Sequence, residues 1–185
     1  YKGGPHPAAP TVSPWTSNLH LPVLREANIQ IPITTSSSVA DMAFWAGWKL
    51  TTTGNYATDL EQAYFFYASN DDLGALNTNG NLHFIHSVAG LDYITDLGIT
   101  VAGDTTYRLA IDFDENYKVS AFVNGVQYGL VNSATLGGAT EPNSTQKSVA
   151  TTSSAGLIPV IGIQTLTSGI KEIYNHFIKA TRNLT

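Results

Sequence analysis

From Leu21 onward the chain is written in short apolar runs broken by turn residues. TYRLAIDF, residues 106 to 113, places Tyr107, Leu109, Ile111 and Phe113 at alternate positions, with Arg108 and Asp112 between them. Such alternation puts one face of an extended strand into a core and leaves the other in water. YKVSAFV repeats it with Tyr117, Val119, Ala121 and Val123. Eight more runs have strand character: ANIQIPI, MAFWAGWKL, EQAYFFYA, NLHFIHSVAG, LDYITDLGITV, GVQYGL, LIPVIGIQTL and KEIYNHFIKA. The last could be a short helix on its charges, but Ile173, Tyr174, Phe177 and Ile178 favour strand. Short runs punctuated by Gly, Asn, Asp and Pro predict an all-β, two-sheet antiparallel jelly-roll sandwich.

The pair TYRLAIDF and YKVSAFV reads as a hairpin. A three-residue loop of Asp114, Glu115 and Asn116 sets Phe113 opposite Tyr117, Ile111 opposite Val119 and Leu109 opposite Ala121. On the polar face Asp112 then lies opposite Lys118, and Arg108 opposite Phe122. A cross-strand ion pair of this kind is worth roughly 0.2–1 kcal/mol. Asp112 and Asp114 share the spacing of carboxylates on one strand face, and sugar cleavage uses carboxylate pairs. A catalytic acid, however, needs its proton held by burial or a like charge, and a Lys neighbour does the reverse. The hairpin is therefore read as structural. Asn124-Gly125 next signals a type I′ turn that sends VQYG back alongside.

Outside these runs two stretches differ. Residues 1 to 20, YKGGPHPAAPTVSPWTSNLH, hold four prolines and little apolar periodicity, so they form an extended arm anchored by Trp15. Residues 132 to 156 carry almost no large apolar side chain and read as a long flexible loop. The expected organisation is an arm over 1–20 and one sandwich over 21–185. Sequons at Asn143 and Asn183 carry little weight.

Charge narrows the partners. Nine Lys and Arg against fourteen Asp and Glu give a net charge of −5 with no basic cluster, which argues against nucleic acid. Charged residues make up 12%, about half the usual share, so much of the surface is Thr, Ser, Asn and Gly or is covered by other subunits. No apolar run approaches the ~20 residues of a membrane helix. There is no cysteine, hence no disulfide frame.

Candidate chemistry is sparse. His83 and His86 in HFIH stand three apart, which on a strand points their rings to opposite faces and argues against a shared metal. Asn70-Asp71-Asp72 is oxygen-rich enough for Ca²⁺ in principle but reads as a solvated turn. Trp45, Trp48, Tyr64, Phe65, Phe66 and Tyr67 form an aromatic concentration; rings on both faces of EQAYFFYA point to core packing over a sugar-stacking platform. No serine elbow, phosphate loop or zinc spacing occurs. No catalytic residue, cofactor-binding residue or metal ligand is assigned.

The succession WAGWKLTTTG, DLEQAYFFYAS, NLHFIHSVAGLDYITDLGITVAGDTTYRLAIDFDENYKVSAFVNGVQYG and GLIPVIGIQTLTSGIKEIYNHFIKATRN resembles the concanavalin A-like lectin/glucanase (LamG-like) jelly roll. It is similar in particular to versions found in virion structural proteins of tailed bacteriophages of marine and cyanobacterial hosts. The resemblance spans about residues 40 to 182, and the segment from Leu157-Ile158-Pro159 to Gln164 narrows it to the phage kind. It implies a non-enzymatic virion part that decorates or cements the outside of a phage head, with the major capsid protein or another virion protein as partner. Enzymes of this fold carry a Glu-x-Asp-x-Glu or related strand motif. Here none of the five glutamates stands two or four residues from another. Lys2, His6 and Trp15 are the expected capsid contacts on the arm. Homo-oligomers are compatible with the low charge. The alternative is a carbohydrate-binding module on a fibre or at the host surface, with a glycan as partner.

Overall fold

A computed structural model describes residues 2–3, 26–50, 59–69, 80–131, 138–139, 148, 150, 157–166 and 171–182. Its strands are β1 (Lys2–Gly3), β2 (Ala27–Thr35), β3 (Met42–Lys49), β4 (Gln62–Ala68), β5 (Asn81–Val88), β6 (Leu91–Thr100), β7 (Thr106–Phe113), β8 (Val119–Val123), β9 (Val126–Tyr128), β10 (Gly138–Ala139), β11 (Ile158–Thr165), β12 (Lys171–Asn175) and β13 (Lys179–Arg182). One sheet runs β1-β12-β2-β7-β8-β9, with β13 also on β2, and the other runs β10-β6-β5-β4-β3-β11. Every pairing is antiparallel except β10 with β6. The protein is an all-β, two-sheet jelly-roll sandwich, as the run pattern predicts. The closing run is strand and not helix.

The core forms where the two inner faces meet. Ile29, Ile31 and Ile33 of β2 and Tyr107, Leu109, Ile111 and Phe113 of β7 point inward from the seven-stranded sheet. Phe44, Ala46 and Trp48 of β3, Phe65 of β4 and Phe84 of β5 point inward from the six-stranded sheet. Phe65 and Phe84 meet edge to face with centroids 5.1 Å apart, a geometry aromatic quadrupoles favour. Burying a side chain of this size stabilises by about 1.5–3 kcal/mol each.

The six-stranded sheet is buried on its second face too. Trp45, Tyr64, Phe66, Ile85, Ile94 and Val160 form a separate buried cluster there. Two glycines allow it. A Cβ on Gly162 of β11 would stand 2.1 Å from the Trp45 indole, and one on Gly47 of β3 would stand 2.6 Å from the Ala63 carbonyl oxygen and from Tyr64 Cα. The ring lies where position 162 has no side chain.

Two details differ from the sequence reading. The β7–β8 loop has three residues, but they are Glu115, Asn116 and Tyr117, because Asp114 N donates to the Lys118 carbonyl (3.0 Å). The Asp114 carboxylate accepts from the backbone N–H groups of Asn116 (2.8 Å) and Lys118 (2.9 Å). This side-chain turn takes Asp114 out of the loop count, and Tyr117 supplies the left-handed residue at φ 60°. The register therefore moves by two: Phe113 faces Val119, Ile111 faces Ala121, and Asp112 faces Ser120, not Lys118. Arg108 lies across from Asn124, and Phe122 pairs with Ala110. A two-residue slip keeps every side chain on its expected face. The second difference is the closing run, which divides into β12 and β13. Pro32 of β2, lying across from the break, has no N–H for the ladder; its carbonyl accepts from His176 N (3.1 Å).

Asn124 (φ 54°) and Gly125 (φ 84°) make the expected two-residue turn between β8 and β9. Lys2–Gly3 at the start of the arm pairs with Lys171 and Glu172 of β12. The rest of residues 4–25 lies outside the described residues, as do most of 132–156, Asn70-Asp71-Asp72 and both sequon asparagines.

Candidate functional site

The outward face of the seven-stranded sheet is open and polar. Strand alternation turns Asn28 and Gln30 of β2, Arg108, Ala110 and Asp112 of β7, and Phe122 of β8 away from the core, and these residues line a cleft of about 590 Å³. Pocket volumes of roughly 300–1,000 Å³ accommodate small ligands. Its floor is a row of register partners, Gln30–Ala110–Phe122. Ala110 is the low point between an amide and an aromatic wall. Arg108 and Asp112 stand two residues to either side of it on β7, about 13 Å apart along the strand.

Each end of the trough has its own chemistry. At one end the Asn28 amide donates to Asp112 Oδ1, joining two register partners. At the other, the Arg108 backbone N–H donates to Asn124 Oδ1 (2.9 Å) and Asn124 N donates to the Arg108 carbonyl (2.9 Å). Next to Arg108, Thr34 Oγ1 is hydrogen-bonded to Thr106 Oγ1 (2.7 Å) and to His176 Nε2 (2.9 Å). Phe177 and His176, in the break between β12 and β13, form the exposed rim. Among the described lining residues Asp112 is the one carboxylate.

The opposite sheet has a polar row of its own, and it is closed. Four register partners on four strands are joined side chain to side chain: Lys49 Nζ donates to Gln62 Oε1 (2.5 Å), Gln62 Nε2 to Ser87 Oγ (2.7 Å), and Ser87 Oγ to Asp92 Oδ1 (2.5 Å). Lys49 also meets Asp59 at 3.3 Å, both side chains fully buried, and its ammonium sits 4.3 Å from the centre of the Tyr64 ring. Burial pulls the Lys49 amine below its ordinary range, with Asp59 opposing. From Lys49 to Ser87 this row ties strands together out of contact with water, and half-buried Asp92 ends it.

The histidines of HFIH lie on opposite faces as their spacing requires. His83 is on the outward face, its Nδ1 3.0 Å from the Asn81 carbonyl; burial lowers its pKa against the opposing pull of Asp96. His86 is on the inward face, stacked on Tyr93 at 4.6 Å, with no hydrogen bond to either ring nitrogen among the described residues. Burial pushes it down to about 3. Among the described residues no group of three or more His, Cys, Asp or Glu could hold a metal. Trp45, Trp48, Tyr64, Phe65, Phe66 and Tyr67 are all buried. Of the expected arm contacts, Lys2 belongs to the β1 edge strand, while His6 and Trp15 lie outside the described residues.

Sequence reasoning treated Arg108, Asp112 and Phe122 as hairpin partners and passed over Asn28 and Gln30. The usable signal was Phe122, an aromatic on the polar face of an alternating strand.

No protein-family model and no curated protein sequence matches the chain. Among solved structures it is similar to a Caenorhabditis elegans galectin, at 11% identity and TM-score 0.48 over 98% of this chain and 96% of the other. It is similar to a homodimeric agglutinin from chicken liver at 10% identity and TM-score 0.48, covering 94% and 100%. A family 7 polysaccharide lyase, an alginate lyase, matches at 11% and 0.46, covering 85% of this chain and 59% of the enzyme. These are likenesses of fold alone, and the sandwich assignment stands on strand order.

Proposed function

We propose that the protein is a non-enzymatic subunit of a bacteriophage virion surface, a decoration or cement protein that also recognises saccharide through the trough on its seven-stranded sheet. One observation supports the recognition: a solvent-open slot combines an aromatic wall, Phe122, with an amide, Gln30, across a small floor residue, Ala110. Sugar rings present apolar C–H faces and polar edges, and such a slot offers a partner to each. Cleavage by two carboxylates needs acids roughly 5–9.5 Å apart. Asp112 has no second acid beside it among the described lining residues.

The virion role is what the resemblance over residues 40 to 182 implies, and it uses another part of the molecule. β1 lies at the edge of the sheet, where a strand can add to a neighbour by backbone pairing. Lys2 of β1 and the Pro-rich arm that follows it, with His6 and Trp15, grip the major capsid protein or another virion protein.

A glycan array on the purified chain, run beside a pull-down with empty phage capsids, tests both halves. Glycan signal that Phe122→Ala removes, together with capsid capture that it leaves intact, is the expected result. Capsid capture with a blank array from folded protein removes the saccharide half. Glycan signal without capsid capture removes the virion half.

A further inference from the structure

We infer that the trough selects a carboxylated saccharide, a uronate held with its carboxylate on the Arg108 guanidinium and a ring stacked on Phe122. This rests on the saccharide reading above and adds the class of sugar. Arg108 is the one Lys or Arg among the described residues lining the trough. Its side chain is exposed and, among the described residues, pairs with no carboxylate, while its backbone is fixed on both sides by Asn124. A guanidinium on an immobile strand position presents a planar fork matched to a carboxylate.

Asp112 is differently placed. Its Oδ1 already accepts the Asn28 amide, so one end of the trough offers a committed acceptor and the other an uncommitted cation. A linear ligand is therefore read in one direction, carboxylate toward Arg108 and hydroxyls toward Asp112. The reverse orientation sets like charges together. Beside Arg108, the linked hydroxyls of Thr34 and Thr106 and the His176 ring offer further partners to sugar oxygens. Gly125, which also lines the slot, has nothing among the described residues within 4 Å of where a Cβ would stand, which leaves room there for a bulky ring. The chain's net charge of −5 opposes polyanions at long range, so the selection is made locally.

Titration calorimetry of the purified full chain with oligogalacturonate and with a neutral cello-oligosaccharide of equal length tests this, using wild type, Arg108→Gln and Phe122→Ala. The uronate should bind about tenfold tighter, as a charge-assisted pair at a half-exposed site supplies. Arg108→Gln should bring it down to the neutral ligand's affinity with unchanged melting temperature, and Phe122→Ala should weaken both ligands. Equal affinity for the two, or a preference that survives Arg108→Gln, overturns the inference and leaves the saccharide reading in place. Displacement of the uronate by an equal concentration of inorganic sulfate also overturns it, since that marks an anion site with no use for a ring. Failure of folded protein to bind either oligosaccharide removes the saccharide reading and the inference together.

Discussion

The two sheets solve the same packing problem in opposite ways. Strands β2 and β7 bury every second residue and give the others to water, whereas every residue of β3 and β4 is buried. Each sheet carries a polar row on its outward face. On the six-stranded sheet the row is locked: Lys49, Gln62, Ser87 and Asp92 satisfy one another across four strands. On the seven-stranded sheet Arg108 and Phe122 stand at the surface of an open slot. Polar groups sealed in a core hold strands in register, and polar groups left facing water are the ones able to take a ligand.

The sharpest way to break this contrast is to cut the locked row. Lys49→Met leaves Asp59 buried without its cation, and loss of a buried partner costs about 3–5 kcal/mol. Lys49→Met with Asp59→Leu should recover most of that in urea melts, because an apolar pair replaces a buried ion pair nearly neutrally. Arg108→Gln in the open row should change stability by less than ~0.5 kcal/mol.

Acid should act on the closed side next. The folded-state pKa of His86, about 3, lies below its unfolded value near 6.5. Its contribution is fully present above pH 6.5 and is lost as pH falls toward 3, by up to ~4 kcal/mol. His83 is shifted the same way. A stability profile against pH should therefore fall steeply below 6.5, and His86→Phe should flatten it.

Gly162→Ala sharpens the packing side of the comparison. Its Cβ would meet the Trp45 indole at 2.1 Å, and the overpacking should cost about 1–3 kcal/mol in thermal melts. A smaller gain belongs to the turn joining β5 and β6. Ala89 sits at φ 52° before Gly90 at φ 79°, and a left-handed alanine is strained. Ala89→Gly should raise stability by roughly 0.5–1 kcal/mol.

The difference between the sheets also explains what the sequence disclosed. Period two in TYRLAIDF assigned Tyr107, Leu109, Ile111 and Phe113 to the core because only one face of β7 is buried. The same spacing rule separated His83 from His86. In β4, rings on both faces showed a strand inside the body. The register of the β7–β8 hairpin was missed by two because Asp114 caps its own turn through its side chain, a contact that apolar alternation does not report. The break at His176 was missed because its cause, Pro32, lies far away in sequence. The ladder from Lys49 to Asp92 was illegible for the same reason: its members become neighbours only once four strands are in register. The slot was half legible, since alternation named its outward positions but not which strands would stand side by side.

The most direct measurement is a titration of isotope-labelled protein with a saccharide that scores on the array, followed by amide chemical shifts. The account predicts that shifts concentrate at Gln30, Arg108, Ala110 and Phe122 while His83, Ser87 and Asp92 stay still. Shifts confined to the six-stranded sheet would contradict it.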